Sequence, residues 1–269
     1  MNALPQDPRA AFVAVLEPLD LTEAALRLAL GEEPRLELDP YREELERLGA
    51  ELERRLPADA DLERKLQTLS GFLFAELGWL GNEQDYYDPR NSYPHEVIRR
   101  GLGIPISLSL LTVEVGRRAG LELHGVGFPA HFLVGAPGGY YLDPFHQGRL
   151  MREDDCAELL ALLTGGQLPF QPTLLTPVDD RAILARMLRN LKGCHLRRGD
   201  LDMALLDVDR LIALGLDGAE RRDRGLIQLA RGAYDEAVDD LQRYLDVDPP
   251  DALVVRERLE EARRQAGRG

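Results

Sequence analysis

A histidine and an aspartate, His131 and Asp143, flank a Pro-Gly-Gly turn in the run FPAHFLVGAPGGYYLDPF (128–145). In a symmetric hairpin centred on Pro137 they would sit opposite each other on one face, with side chains a few ångströms apart. An imidazole that is to act as a base needs this relation to a carboxylate, which fixes its tautomer and orientation. The candidate nucleophile is Ser107, near the start of the apolar run ISLSLLTVEV (106–115). Backbone N–H groups and the dipole of a helix starting there favour negative charge. A serine nucleophile also needs a base within hydrogen-bond reach and an oxyanion site. Alternatively, Ser107 satisfies polar groups of its own first helical turn.

A second group of polar residues lies in YYDPRNSY (86–93). Asp88, Arg90 and Asn91 are placed to line a cleft beside His131, with Tyr86 and Tyr87 as its walls. The alternative is that Arg90 pairs with a buried carboxylate and Asn91 satisfies loop backbone, holding a long connection in shape. His95, His124 and His146 show no Cys or carboxylate at ligand spacing, so no metal and no cofactor are expected. The two cysteines, Cys156 and Cys194, do not suggest a disulfide framework. Cys194 and His195 are adjacent on a helix and diverge by about 100°. Cys156 stands among Glu153, Asp154 and Asp155, whose charge raises a thiol pKa.

Several elements must position these residues. The stretches 7–16, 40–56 and 60–77 read as helices, with Leu45, Leu48 and Leu52 and then Leu66, Leu69, Phe72 and Phe74 toward a core. Gly78 ends the third of these. Pro105 suits the first position of a buried helix over 106–115, because its missing N–H would have no partner there. Short strands are expected at 123–127, 131–135 and 140–145, with a turn at 136–139.

From about residue 165 to 177, Pro, Gly and Thr mark a linker. Beyond it, RRGDLDMALLDVDRLIAL (197–214) and ARGAYDEAVDDLQRYLDV (230–247) overlay when Gly199 is matched with Gly232 and Ala204 with Ala237. The offset of 33 is close to the 34 of tetratricopeptide repeats. Gly225, Ala237 and Pro249 fall where that repeat has its Gly, small Ala and closing Pro. A last helix is expected over 251–265.

The 269 residues carry 33 basic and 47 acidic side chains, a net charge of -14, with a pI near 4.9. That balance disfavours nucleic-acid binding, which needs a basic surface. No run approaches a membrane span and no basic-plus-apolar leader opens the chain, so a cytoplasmic protein is expected.

The order helix start, strand with His, strand with Asp resembles the transglutaminase-like, papain-related fold, in which a Cys at the helix N-terminus completes a triad. More narrowly, YYDPRNS, RRGLGIPISL, FPAHFLV and LDPF resemble the bacterial transglutaminase-like family with a tetratricopeptide tail, that of the invasion-gene regulator SirB. The resemblance implies an α+β fold: a helix-rich first domain with a small antiparallel sheet over 1–164, a linker over 165–180, and an all-α tail over 181–269. It departs at the nucleophile, because an ungapped overlay of the usual Gly-x-Cys on Gly103-Ile104-Pro105 sets Pro105 where the Cys belongs. A regulatory or scaffolding module is therefore expected, binding a protein or peptide partner through the cleft or the tail. The alternative is a hydrolase or acyltransferase using Ser107, His131 and Asp143.

Overall fold

The computed structural model describes residues 7–267. In chain order the first elements are helices α1 (Pro8–Val13), α2 (Leu21–Arg27), α3 (Asp39–Arg55) and α4 (Leu62–Ser70). Strand β1 (Leu80–Gly81), helix α5 (Pro94–Arg100), strand β2 (Leu102–Gly103) and helix α6 (Pro105–Arg118) follow. Then come β3 (His124–Val126), β4 (Leu133–Ala136), β5 (Tyr140–Asp143) and β6 (Arg149–Met151). The chain continues as α7 (Glu153–Thr164), α8 (Asp180–Arg198), α9 (Leu201–Ala213), α10 (Gly218–Arg231), α11 (Tyr234–Leu245) and α12 (Ala252–Ala266). This is the expected α+β first part with an all-helical tail. Two compact units result: Leu21–Ala29 with Leu36–Met187, and residues 7–20 with Leu30–Arg35 and 188–267.

The first of these units is built on α6. Pro105 opens it, and every residue from Pro105 to Gly116 is buried. Its buried polar members Ser107, Ser109, Thr112 and Glu114 are all hydrogen-bonded, as buried polar groups must be. It packs against α3, β3 and β4. Burying each large apolar side chain here contributes about 1.5–3 kcal/mol. The Leu123 side chain packs directly on Gly116, where a Cβ would come within 2.3 Å of its methyl group. The antiparallel sheet runs β3-β4-β5-β6, and a parallel pair joins β1 to β2.

The stretch 60–77 differs from the single helix expected. Asp61 caps α4 by accepting from the Arg64 N–H at 2.9 Å, but after Ser70 the chain widens into a π-helical turn over Gly71–Glu76. Phe72, Leu73 and Phe74 are all buried within this turn. The segment 165–180 carries a 3-10 turn over Pro172–Leu175. Leu175 is buried with Phe128, Leu133 and Cys156, Pro177 bridges to Val126, and the Val178 N–H donates to the Gly125 carbonyl.

In the other unit, the repeat overlay is visible in the backbone. Gly199 and Gly232 both have positive φ, 74° and 81°, and Ala204 and Ala237 are both fully buried. A Cβ at Gly225 would come within 2.8 Å of Leu241, so a small residue is what lets α10 and α11 cross. Arg221, Arg222 and Arg224 do not form a free basic cluster. Arg224 bridges Asp240 and Asp209, Arg221 pairs with Asp217 and Asp240, and Arg222 pairs with Asp223 and Asp251. Deeper in this unit, His195 lies between Asp207 at 2.7 Å and Glu32 at 3.2 Å. Burial alone pulls its pKa down, but the hydrogen bonds and charges of the two carboxylates reverse that and raise it to about 9.

Candidate functional site

His131 is presented by a tight turn rather than by a strand. The His131 N–H donates to the Phe128 carbonyl at 3.1 Å, and Ala130 between them has φ of 55°. A non-glycine residue in the left-handed region costs roughly 1–2 kcal/mol. Two contacts hold the turn in place. Arg186 donates to the carbonyls of Phe128 at 3.1 Å and His131 at 2.5 Å. Ser109, one helical position pair beyond Ser107, donates to the Phe132 carbonyl at 3.3 Å. Neither Arg186 nor Ser109 stood out in the sequence, because each acts through a backbone carbonyl from a distant element.

The His131 ring reaches Asp143, but not by the symmetric hairpin expected. Gly138 and Gly139 both take positive φ, so the turn centres on Gly138, and the register is Val134↔Leu142, Gly135↔Tyr141 and Ala136↔Tyr140. Extended by one residue, that register sets Asp143 across from Leu133. His131 is thus a diagonal neighbour, a relation that a long side chain can span. Its Nε2 lies 2.8 Å from Asp143 Oδ1.

Asp143 serves a second imidazole. It opens a 3-10 turn over Pro144–His146, and its Oδ2 lies 2.6 Å from His146 Nδ1. The two imidazoles are stacked, centroids 5.5 Å apart and planes at 26°. Burial pushes the Asp143 carboxyl up, but the hydrogen bonds and charge of His131 and then His146 outweigh it and leave the pKa below the usual carboxylate value. With an ionised Asp143, both ring nitrogens facing it are donors. The signal for His146 was present in DPFH: Asp-Pro opens a 3-10 turn, in which residues three apart eclipse.

Ser107 is not brought to this pair. Its hydroxyl donates to the Asn91 carbonyl at 2.5 Å and lies 3.1 Å from both the carbonyl and the N–H of Ile104. Among the described residues no hydrogen bond joins Ser107 to His131. Pro105 occupies the first position of α6, as the overlay on Gly103 placed it.

The 86–93 loop makes the contacts of its structural alternative. Buried Asp88 accepts from the Arg90 backbone N–H at 3.1 Å and its guanidinium at 2.6–2.8 Å. Asn91 accepts from Asn82 and Arg100 and donates to the Asp85 and Tyr86 carbonyls, so every polar atom of its amide is used. The loop nevertheless presents a surface. Tyr87 and the Arg90 side chain stay more than half exposed. Tyr86 contacts Phe145 edge to face at 6.0 Å, and Phe145 contacts His131 in the same way at 6.0 Å. The tyrosine wall is joined to His131 through Phe145, whose approach requires Gly81: a Cβ there would lie 2.5 Å from the ring. Cys156 is buried, and burial first, then Asp155, pushes its thiol up to about 12, which leaves it inert.

A helix-rich domain with a four-stranded sheet and a buried His-Asp pair, followed by paired helices that repeat, is a transglutaminase-like domain joined to tetratricopeptide repeats. Family models agree, one described as the transglutaminase-like superfamily matching 39–189 and one described as tetratricopeptide repeat matching 191–264. The chain belongs to this superfamily, and within it to the family of UPF0162 proteins. It is 38% identical over 240 residues to a UPF0162 protein of Xylella fastidiosa, spanning 87% of this chain and 85% of the relative. A Vibrio cholerae UPF0162 protein is 30% identical over 87% of this chain and 88% of its own length. Mouse F-box only protein 21 is 35% identical over 145 residues, half of this chain and 22% of that protein. No solved structure matches the chain at a significant level.

Proposed function

We propose that this is a cytoplasmic protein-binding module, regulatory or scaffolding, whose transglutaminase-like cleft no longer performs covalent catalysis. The observation that carries the reading is the placement of the Ser107 hydroxyl, 2.5 Å from the Asn91 carbonyl and without a bond to His131. Serine catalysis requires a base at its hydroxyl, and the chain has no cysteine at that helix start. The His131–Asp143 pair persists because each buried group satisfies the other. Tetratricopeptide repeats are protein-interaction elements, and among the described residues no helix is long and apolar enough to cross a membrane. The partner is a protein or peptide, met by the exposed faces of Tyr87 and Arg90 or by the repeats; the acidic balance disfavours nucleic acid.

Panning a displayed peptide library against the full chain tests this reading. Enriched peptides should bind Tyr87→Ala or Arg90→Ala at least about tenfold more weakly, a loss of about 1.4 kcal/mol. Undiminished binding by both variants and by repeat-surface variants would count against a role for either surface. A serine hydrolase or acyltransferase remains the second reading, favoured only by the His131–Asp143 pair.

A further inference from the structure

We propose that His131, Asp143 and His146 form a binding site for one divalent transition-metal ion of the zinc class. This goes beyond the protein-binding role and does not depend on it.

The donors come from two pre-set turns. The strained turn at Ala130 fixes His131, and the 3-10 turn after β5 brings Asp143 and His146 to one side. One ligand atom from each of the three lies within 4.8 Å of the other two. His131 Nε2 and His146 Nδ1 already point at the two oxygens of one carboxylate, at 2.8 and 2.6 Å. An ion about 2.0–2.2 Å from each donor fits between them after a slight opening. The freedom for that opening belongs to His146, whose side chain is 44% exposed while His131 and Asp143 are buried.

The chemistry of the donor set selects the ion. Two neutral imidazoles and one carboxylate suit zinc, nickel or copper, whereas magnesium and calcium require oxygen ligands. The set carries one negative charge against two positive. It supplies three protein ligands, leaving a fourth position for water or a partner's side chain. Phe145 meets both imidazoles edge-on, at 6.0 and 5.3 Å, and gives the site an apolar wall that limits competing water. The Asp143–His146 half of the site is visible in DPFH, and His131 joins it from a separate turn.

The test uses the full chain stripped of metal with a chelator. Zinc chloride is titrated calorimetrically, and cobalt chloride is followed by its visible absorption. The expected result is one saturable ion per chain, undisplaced by excess magnesium. In His146→Ala, affinity should fall at least tenfold, because losing a ligand should cost no less than losing its outer-shell partner. A second measurement reads the histidine ring nitrogens of the wild-type chain by NMR, and zinc should move those of His131 and His146 while leaving His195 in place. Absence of saturable binding, unchanged affinity in folded His146→Ala, or unmoved His131 and His146 signals would overturn the proposal. The last two outcomes would put the ion on the acidic surface instead.

Discussion

His131 and Asp143 meet at 2.8 Å although they are not cross-strand partners. Two local constraints produce the contact. The Gly138-Gly139 turn shifts the hairpin register, and the Phe128–His131 turn carries the imidazole back toward the end of β5. The pair is therefore set by backbone geometry, independent of any nucleophile.

Replacing Asp143 with Asn should test how far this pair supports the domain. Both imidazoles lose a charged acceptor, and hydrogen bonds to charged groups are worth about 1.5–3 kcal/mol each. A loss of about 2–4 kcal/mol is expected in urea unfolding. The wild-type dependence on acid follows from the depressed pKa of Asp143. A carboxyl with a folded pKa below its unfolded value stabilises fully above the unfolded value, near 3.8. That contribution is lost as pH falls through the folded value, and Asp143→Asn should remove this part of the acid sensitivity.

Ser107→Ala should affect stability and leave cleft binding unchanged. The substitution strips the Asn91 carbonyl of its hydroxyl partner and the Ile104 N–H of its acceptor, a cost of about 1–3 kcal/mol. Denaturant midpoints measure the first part and peptide affinity the second. A loss of binding without a loss of stability would contradict the structural role.

His195 gives the repeat-containing unit an opposite pH dependence. Its folded pKa of about 9 lies above the ordinary 6.5. Its stabilisation is therefore fully present below pH 6.5 and declines as pH rises through 9. Unfolding of the tail, followed by hydrogen exchange at α9, should become easier between pH 7 and 10, and His195→Gln should flatten that trend.

Gly81→Val should disturb the cleft from outside it. A Cβ at Gly81 meets the Phe145 ring at 2.5 Å and its carbonyl at 2.6 Å, and a backbone neighbour cannot swing away. Overpacking of this kind costs about 1–3 kcal/mol. The expected outcome is reduced stability together with altered His131 and His146 ring signals by NMR, since Phe145 packs on both.

Much of the architecture was legible because its signals are local. Pro105 marks the start of α6, and the Gly199/Gly232 and Ala204/Ala237 matches mark equivalent turns and crossings. What was hidden depends on contacts between distant segments. The π-helical turn after Ser70 buries Phe72, Leu73 and Phe74, and the apolar spacing of 60–77 does not mark where the helix widens. Arg186 and Ser109 hold the His131 turn through backbone carbonyls, and such contacts leave no mark on residue spacing. The pairing of His131 with Asp143 was legible in outcome, while its register was not. That register followed from the conformations of Gly138 and Gly139 rather than from the count of residues about Pro137. Arg221, Arg222 and Arg224 are paired with Asp209, Asp217, Asp223, Asp240 and Asp251 within their own unit, and nothing in their spacing shows which acids they meet.

The most direct measurement of the central claim is intact-mass analysis after incubation with a fluorophosphonate, which forms a stable adduct with an activated serine. Wild-type chain and His131→Ala are treated side by side. If Ser107 is fastened to the Asn91 carbonyl and the cleft has no nucleophile, neither protein gains the adduct mass. An adduct mapped to Ser107 in the wild type and absent from His131→Ala would contradict the account and establish a serine enzyme.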